Sequence, residues 1–194
     1  MVFDQVMHSV DSGAGGLYFM YGHGGIGKTF LWSTIISKVM SKGQIVLAVA
    51  SSGIASLLIE GGRTAHSRFR IPIDINESST YEIKKGTHLA ELICKTHLVV
   101  WDEAPLNHRH IFEAVDRTFR DVRQAIEPNS HTLPFEGLKV LLGGDFRQIF
   151  PVVTGEAREA IVGASISKYY IWRECIIFQL LQNMRIELDV PRLP

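Results

Sequence analysis

The sequence predicts an α/β fold of three layers, with helices on both faces of a mostly parallel central sheet. Three observations predict it. Four apolar runs, Leu17–Tyr21, Ile45–Ala50, Leu98–Trp101 and Leu138–Leu142, are continuous rather than alternating, as strands covered on both faces are. Segments with apolar residues at helical spacing separate them, so strands alternate with helices and pair in parallel through right-handed crossovers. Finally, Gly22, Asp102 and Gly143 stand directly after three of the runs, at the strand ends where ligands of such sheets bind.

Taken in order, Val2, Phe3, Val6, Met7 and Val10 recur at helical spacing and predict a short amphipathic helix. Asp11 to Gly16 is a Gly-rich turn before the first strand. After the glycine loop, Phe30, Leu31, Ile35, Ile36 and Val39 predict the buried face of a helix that Lys42-Gly43 ends. The strand Ile45–Ala50 leads into a helix from Ile54 to Ile59. Asp74 to Gly86 is polar and reads as a surface excursion. Leu89 to Ile93 predicts a helix, Leu98 to Trp101 the third strand, Ile111 to Val122 an amphipathic helix, and Glu127 to Glu136 a loop. Leu138–Leu142 is the fourth strand and Ile176 to Leu181 a fifth.

The bulk numbers suit one domain: 194 residues, 46% hydrophobic and 21% charged, enough to bury a core and too apolar for disorder. Twenty basic residues balance twenty acidic ones, so any nucleic-acid contact must come from local groups. Cys94 and Cys175 match no metal-ligand spacing and read as thiols in a reducing compartment. No run reaches the ~20 residues of a membrane span. The N-terminus lacks a basic flank before an apolar stretch. These features predict an intracellular protein without membrane contact.

Gly22-His23-Gly24-Gly25-Ile26-Gly27-Lys28-Thr29 fits G-x-x-x-x-G-K-[ST], with the strand before and the helix after that the pattern needs. Glycines let backbone N–H groups turn inward around phosphates, and the helix N-terminus adds positive potential. The expected ligand is the triphosphate of a nucleotide with Mg²⁺, Lys28 reaching the phosphates and Thr29 ligating the metal. Asp102 ends an apolar strand, where the metal shell needs a carboxylate, and Glu103 beside it suits polarisation of the attacking water; an acidic helix cap is the alternative. In Gly143-Gly144-Asp145-Phe146-Arg147-Gln148-Ile149-Phe150-Pro151-Val152 the glycines permit close approach. Gln148 could sense a γ-phosphate, and Phe150 and Pro151 could stack on a base; a plain strand-to-loop turn serves equally well. His108 and His110 read as a solvated helix start rather than a metal site.

These residues resemble a family. Gly22–Thr29, then Ala50–Ala55, Gly62–Ser67, Asp102-Glu103-Ala104, Gly143–Val152 and Leu181–Arg185, in that order, look like the Pif-type DNA helicases of superfamily one, over essentially the whole chain. Trp101 to Val122 is most similar to the plant branch related to rolling-circle transposons. The resemblance implies a RecA-like domain and 5′-to-3′ movement on single-stranded DNA. Gln148 would be the γ-phosphate sensor and Arg185 an arginine finger. Ser51, Ser52, Thr64 and His66 would touch the DNA backbone, with Phe150 and Pro151 along the strand. It implies ATP as substrate, Mg²⁺ as cofactor, single-stranded DNA as partner and no membrane. It further implies a monomer, roles in repair, recombination and telomere maintenance, and nuclear rather than mitochondrial placement. The adenine-reading glutamine of the family has no counterpart here, Gln5 falling inside a helix pattern. The second motor domain should follow Arg185 and does not, so the chain is expected to be a first motor domain that cannot step alone. A non-catalytic nucleotide- or DNA-binding remnant and another loop-type ATPase are the competing readings.

Overall fold

The structure, a computed structural model, describes residues 2–77, 79, 83–124, 133–147, 151 and 158–180. Six strands form its sheet: β1 (Leu17–Tyr21), β2 (Ile45–Ala50), β3 (Arg63–Thr64), β4 (Thr96–Asp102), β5 (Lys139–Gly144) and β6 (Cys175–Gln179). Their order is β3-β2-β4-β5-β1-β6 and every pairing is parallel. Helices α1 (Val2–Ser12), α2 (Lys28–Met40), α3 (Gly53–Leu57), α4 (Ala65–Phe69), α5 (His88–Lys95), α6 (Arg109–Arg123) and α7 (Arg158–Gly163) complete the frame. Among the described residues no helix is long and apolar enough to cross a membrane.

Side chains of a strand alternate between faces, and here both faces are apolar, which explains the continuous runs. Leu17, Phe19, Leu47, Val49, Val99, Trp101, Val140 and Leu142 pack on one side with residues of α4, α5 and α6. Tyr18, Met20, Ala48, Leu98, Val100 and Leu141 pack on the other with residues of α1 and α2. The expected three layers are therefore present. So are β1 and β2, with the bounds that composition predicted.

Three elements depart from expectation. Phe30 is 78% exposed, and the buried face of α2 is Trp32, Ile35, Ile36 and Val39. Those four fall at i, i+3, i+4 and i+7, one helical stripe, while Phe30 lies two residues off it. The segment Gly62–Ser67 forms β3 and α4, each too short for periodicity to reveal. The last strand closes at Gln179 rather than Leu181. The remaining surprises are 3-10 turns at Ala104–Leu106, Pro134–Gly137, Ile166–Lys168 and Tyr170–Glu174.

The register sets up the site. Tyr21 lies beside Gly144, and Ala50 beside Asp102, so four strands end at one level of the sheet. The segments that leave those ends are the ones whose sequence carries chemistry.

Candidate nucleotide and nucleic-acid site

The loop after β1 is shaped by glycine. Gly25 and Gly27 adopt φ of 87° and 86°, a region that side-chain-bearing residues rarely occupy. A Cβ on Gly22 would collide with the Ile26 side chain. Gly27 caps α2 without a side-chain hydrogen bond to the helix. The first N–H groups of α2 and its dipole therefore face the loop as an anion receptor. Lys28 opens the helix, and its Nζ donates to the carbonyls of Gly22 at 2.5 Å and His23 at 2.9 Å. Burial lowers its pKa, while Asp102, Asp145 and Glu103 act to raise it. Thr29 is exposed in the first turn, and Gly24 is exposed at the loop tip.

Asp102 closes β4 and is 7% exposed. Burial raises its pKa against the Glu103 N–H, which donates to Oδ1 at 3.0 Å, and against Lys28. The buried Trp32 indole N–H, short of a full hydrogen bond, acts in the same lowering sense. Glu103 sits in the left-handed region at φ 53° and ψ 34°. A non-glycine residue held there stores about 1–3 kcal/mol of strain, a feature that clusters at functional sites. Its Oε2 accepts from the Ser52 hydroxyl at 2.6 Å.

The Gly-Gly pair after β5 answers to close packing. A Cβ on Gly143 would strike the Trp32 ring, and one on Gly144 would strike Pro105. Asp145 follows, 6% exposed. Its carboxylate stands 2.6 Å from His23 Nδ1 and accepts the Arg147 N–H at 2.9 Å. Burial alone would raise its pKa; Arg147, His23 and Tyr21 outweigh it and hold the carboxyl below its ordinary value. Burial and Asp145 together push the Tyr21 phenol up.

Ser51 accepts the Trp101 indole N–H at 3.1 Å, and Ser52 caps α3 through the Ala55 N–H at 3.2 Å. Thr64 caps α4 by accepting the Ser67 N–H at 3.3 Å. His66 is half-buried, and burial lowers its pKa. Pro151 departs from expectation. It is buried, so its ring presents no open face to a base. Gln148, Phe150 and Arg185 lie outside the described residues. His108 and His110 are half-buried rather than solvated. His108 Nδ1 caps α6, and among the described residues no cluster of metal-ligating side chains occurs.

The structure brings Lys28 of the loop within electrostatic reach of Asp102 and Glu103. Sequence reasoning missed Trp32 altogether and gave Trp101 and Asp145 no part in the site. For Asp145 a signal was present: an acidic residue one step beyond a strand-ending Gly-Gly pair, much as Asp102 ends its own strand.

Fold and site define a loop-type nucleotide-binding domain with a RecA-like parallel sheet. The chain belongs to the PIF1-like helicase family, whose model matches residues 1–191. It is 34% identical over 137 residues to the ATP-dependent DNA helicase PIF4 of Trypanosoma brucei brucei, covering 68% of this chain and 16% of that protein. It is 30% identical over 193 residues to PIF1 of Danio rerio, covering 95% and 27%. The chain therefore spans less than a third of the length of either relative. Among solved structures, Bacteroides Pif1 bound to single-stranded DNA matches with a TM-score of 0.75 at 28% identity, over 94% of this chain and 42% of that one. Pif1 of Candida albicans matches with a TM-score of 0.73 at 26% identity, over 96% and 40%.

Proposed function

We propose that the chain is the first RecA-like motor domain of a superfamily-one helicase of the plant, rolling-circle-transposon-like branch. It binds and hydrolyses ATP and, in the longer protein, couples hydrolysis to 5′-to-3′ movement on single-stranded DNA. The reading extends to DNA unwinding in repair, recombination and telomere maintenance, in the nucleus and as a monomer. One observation carries it: Lys28 at the base of a glycine-shaped anion receptor, with Asp102 and Glu103 at the end of β4 facing it. Relatives named as ATP-dependent DNA helicases, and a Bacteroides Pif1 solved with ADP-AlF3 and single-stranded DNA, support the use of ATP and of single-stranded DNA.

In this reading the loop N–H groups and Lys28 bind the β- and γ-phosphates, Lys28 exchanging its two carbonyl partners for phosphate oxygens. Asp102 carboxylate and Thr29 hydroxyl are hard oxygen donors of the kind Mg²⁺ takes together with phosphate oxygens. The ion would neutralise charge developing on the phosphates. Glu103 accepts the proton of the attacking water as oxygen joins the γ-phosphorus and the bond to ADP breaks. Ser51, Ser52, Thr64 and His66 would meet the DNA backbone, with Gln148 as γ-phosphate sensor and Arg185 as arginine finger.

The test is phosphate release by the purified chain with ATP and Mg²⁺, with and without single-stranded DNA. Slow turnover that Lys28→Ala abolishes is expected, with no unwinding of duplex by these 194 residues alone. Absence of nucleotide binding, or a Lys28→Ala variant as active as the parent, would overturn the reading.

A further inference from the structure

We infer that Ser52 is a positioning residue that holds Glu103 in a resting orientation, so that turnover requires this bond to open. The inference rests on the ATPase reading above and adds to it a specific restraint on the water-activating carboxylate.

Ser52 has one hydroxyl proton, and it goes to Glu103 Oε2 at 2.6 Å. That is an ordinary length for a hydroxyl donating to a carboxylate, and such charge-assisted bonds are strong. The bond ties the Glu103 carboxylate to the residue two positions beyond the end of β2. The Ser52 oxygen also accepts the Ala55 N–H at 3.2 Å, which fixes the hydroxyl from the other side. Its neighbour is fixed as well: the Ser51 N–H donates to the Asp102 carbonyl at 3.0 Å, and Trp101 Nε1 donates to Ser51 Oγ. The ends of β2 and β4 are thus clamped together by these bonds, with the Ser52–Glu103 bond joining the two segments beyond them. Glu103 is also the residue on this segment held in left-handed backbone, a conformation that persists only while its surroundings enforce it. Side-chain restraint and backbone strain thus coincide on a single residue, Glu103.

Ser52 is moreover one of the groups proposed above to meet the DNA backbone. A phosphate oxygen that takes its proton leaves Glu103 without a donor. DNA at Ser52 and the resting orientation of Glu103 are therefore mutually exclusive, and their competition links the strand to hydrolysis within this one domain.

The experiment measures phosphate release by the purified chain and its Ser52→Ala, Ser52→Gly and Ser52→Thr variants, with ATP and Mg²⁺, with and without oligothymidylate. Glycine retains most of the capping value of serine, whereas alanine loses it, so a folding defect would separate those two. The expected result is a rise of roughly threefold or more in the DNA-free rate of both Ser52→Ala and Ser52→Gly. Ser52→Thr, which keeps donor and acceptor, loses most of that rise. Oligothymidylate accelerates the wild type and adds little to the Ala and Gly variants. DNA-free rates at or below wild type in both variants, with unchanged melting temperature and intact nucleotide binding, would overturn the inference while leaving the ATPase reading standing. Equal acceleration of all forms by DNA would overturn the competition. Loss of nucleotide binding by the wild type would instead remove the ATPase reading itself.

Discussion

His23 Nδ1 and Asp145 Oδ2 stand 2.6 Å apart, tying the second residue of the phosphate loop to the end of β5. The link crosses from an exposed imidazole to a buried carboxylate, and beside it the Gly22 N–H donates to the Gly144 carbonyl at 3.2 Å. The proposed phosphate loop is thereby anchored to the strand whose following segment holds the expected γ-phosphate sensor, Gln148.

That anchorage has a pH signature. Asp145 is held below its ordinary value of 3.8, against its burial, by the Arg147 N–H, His23 and Tyr21. A depressed carboxyl contributes stability that is fully present above the unfolded value and lost as pH falls through the lower native one. Hydrogen bonds to a charged group contribute about 1.5–3 kcal/mol. Asp145→Asn is expected to be less stable than wild type by about that amount at pH 7, with the gap narrowing below pH ~4. Urea titrations at pH 7, 4 and 3 check this; a gap that widens toward acid would contradict it.

Asp102 behaves in the opposite sense. Its burial raises the carboxyl above 3.8 despite the Glu103 N–H, Trp32 and Lys28. The native state then holds its proton more firmly than the unfolded chain, so stability falls as pH rises through that window and stays reduced at neutrality. Asp102→Asn removes the buried charge and keeps an acceptor for the Glu103 N–H. It is expected to melt higher than wild type at pH 7 and to lose Mg²⁺-dependent turnover. Calorimetry beside a phosphate-release assay reads both. A lower melting temperature would mean that Lys28 and the Glu103 N–H outweigh desolvation.

Much of this was legible in the sequence because the signals were chemical and local. The glycine loop, the strand-ending Asp102 and the continuous apolar strands each state their role within a few residues. The face of α2 was only partly legible: Trp32, Ile35, Ile36 and Val39 keep the i, i+3, i+4, i+7 spacing, while Phe30 is apolar but lies two residues off that stripe. Gly143, where a Cβ would strike the indole, leaves the room that Trp32 fills. Ser52 and Glu103, 51 residues apart in sequence, meet through strand register, which no local pattern encodes. Trp32→Ala is therefore expected to cost about 3–5 kcal/mol, and Phe30→Ser no more than about 0.5 kcal/mol, in denaturant unfolding. Comparable losses in the two variants would place Phe30 on the core face after all.

The contact between Gly143 and Trp32 gives the most direct test of how the sheet end is packed. Trp32 is fully buried, and a Cβ on Gly143 would run into the six-membered part of its indole, at Cζ2 and Cη2. Neither atom can retreat, because α2 is pinned between α1 and the sheet by Ile35, Ile36 and Val39. Overpacking a close-packed interior by one methyl costs about 1–3 kcal/mol, so Gly143→Ala is expected to lose that much stability. Phenylalanine lacks the atoms that clash. In a Trp32→Phe background, itself destabilised by the lost volume, Gly143→Ala should then cost little and partly fill the space. The two changes are thus expected to be non-additive by at least ~0.5 kcal/mol, the mark of residues in contact. A double-mutant cycle in urea measures it, and strict additivity would show that Gly143 serves its strand end for some reason other than the indole above it.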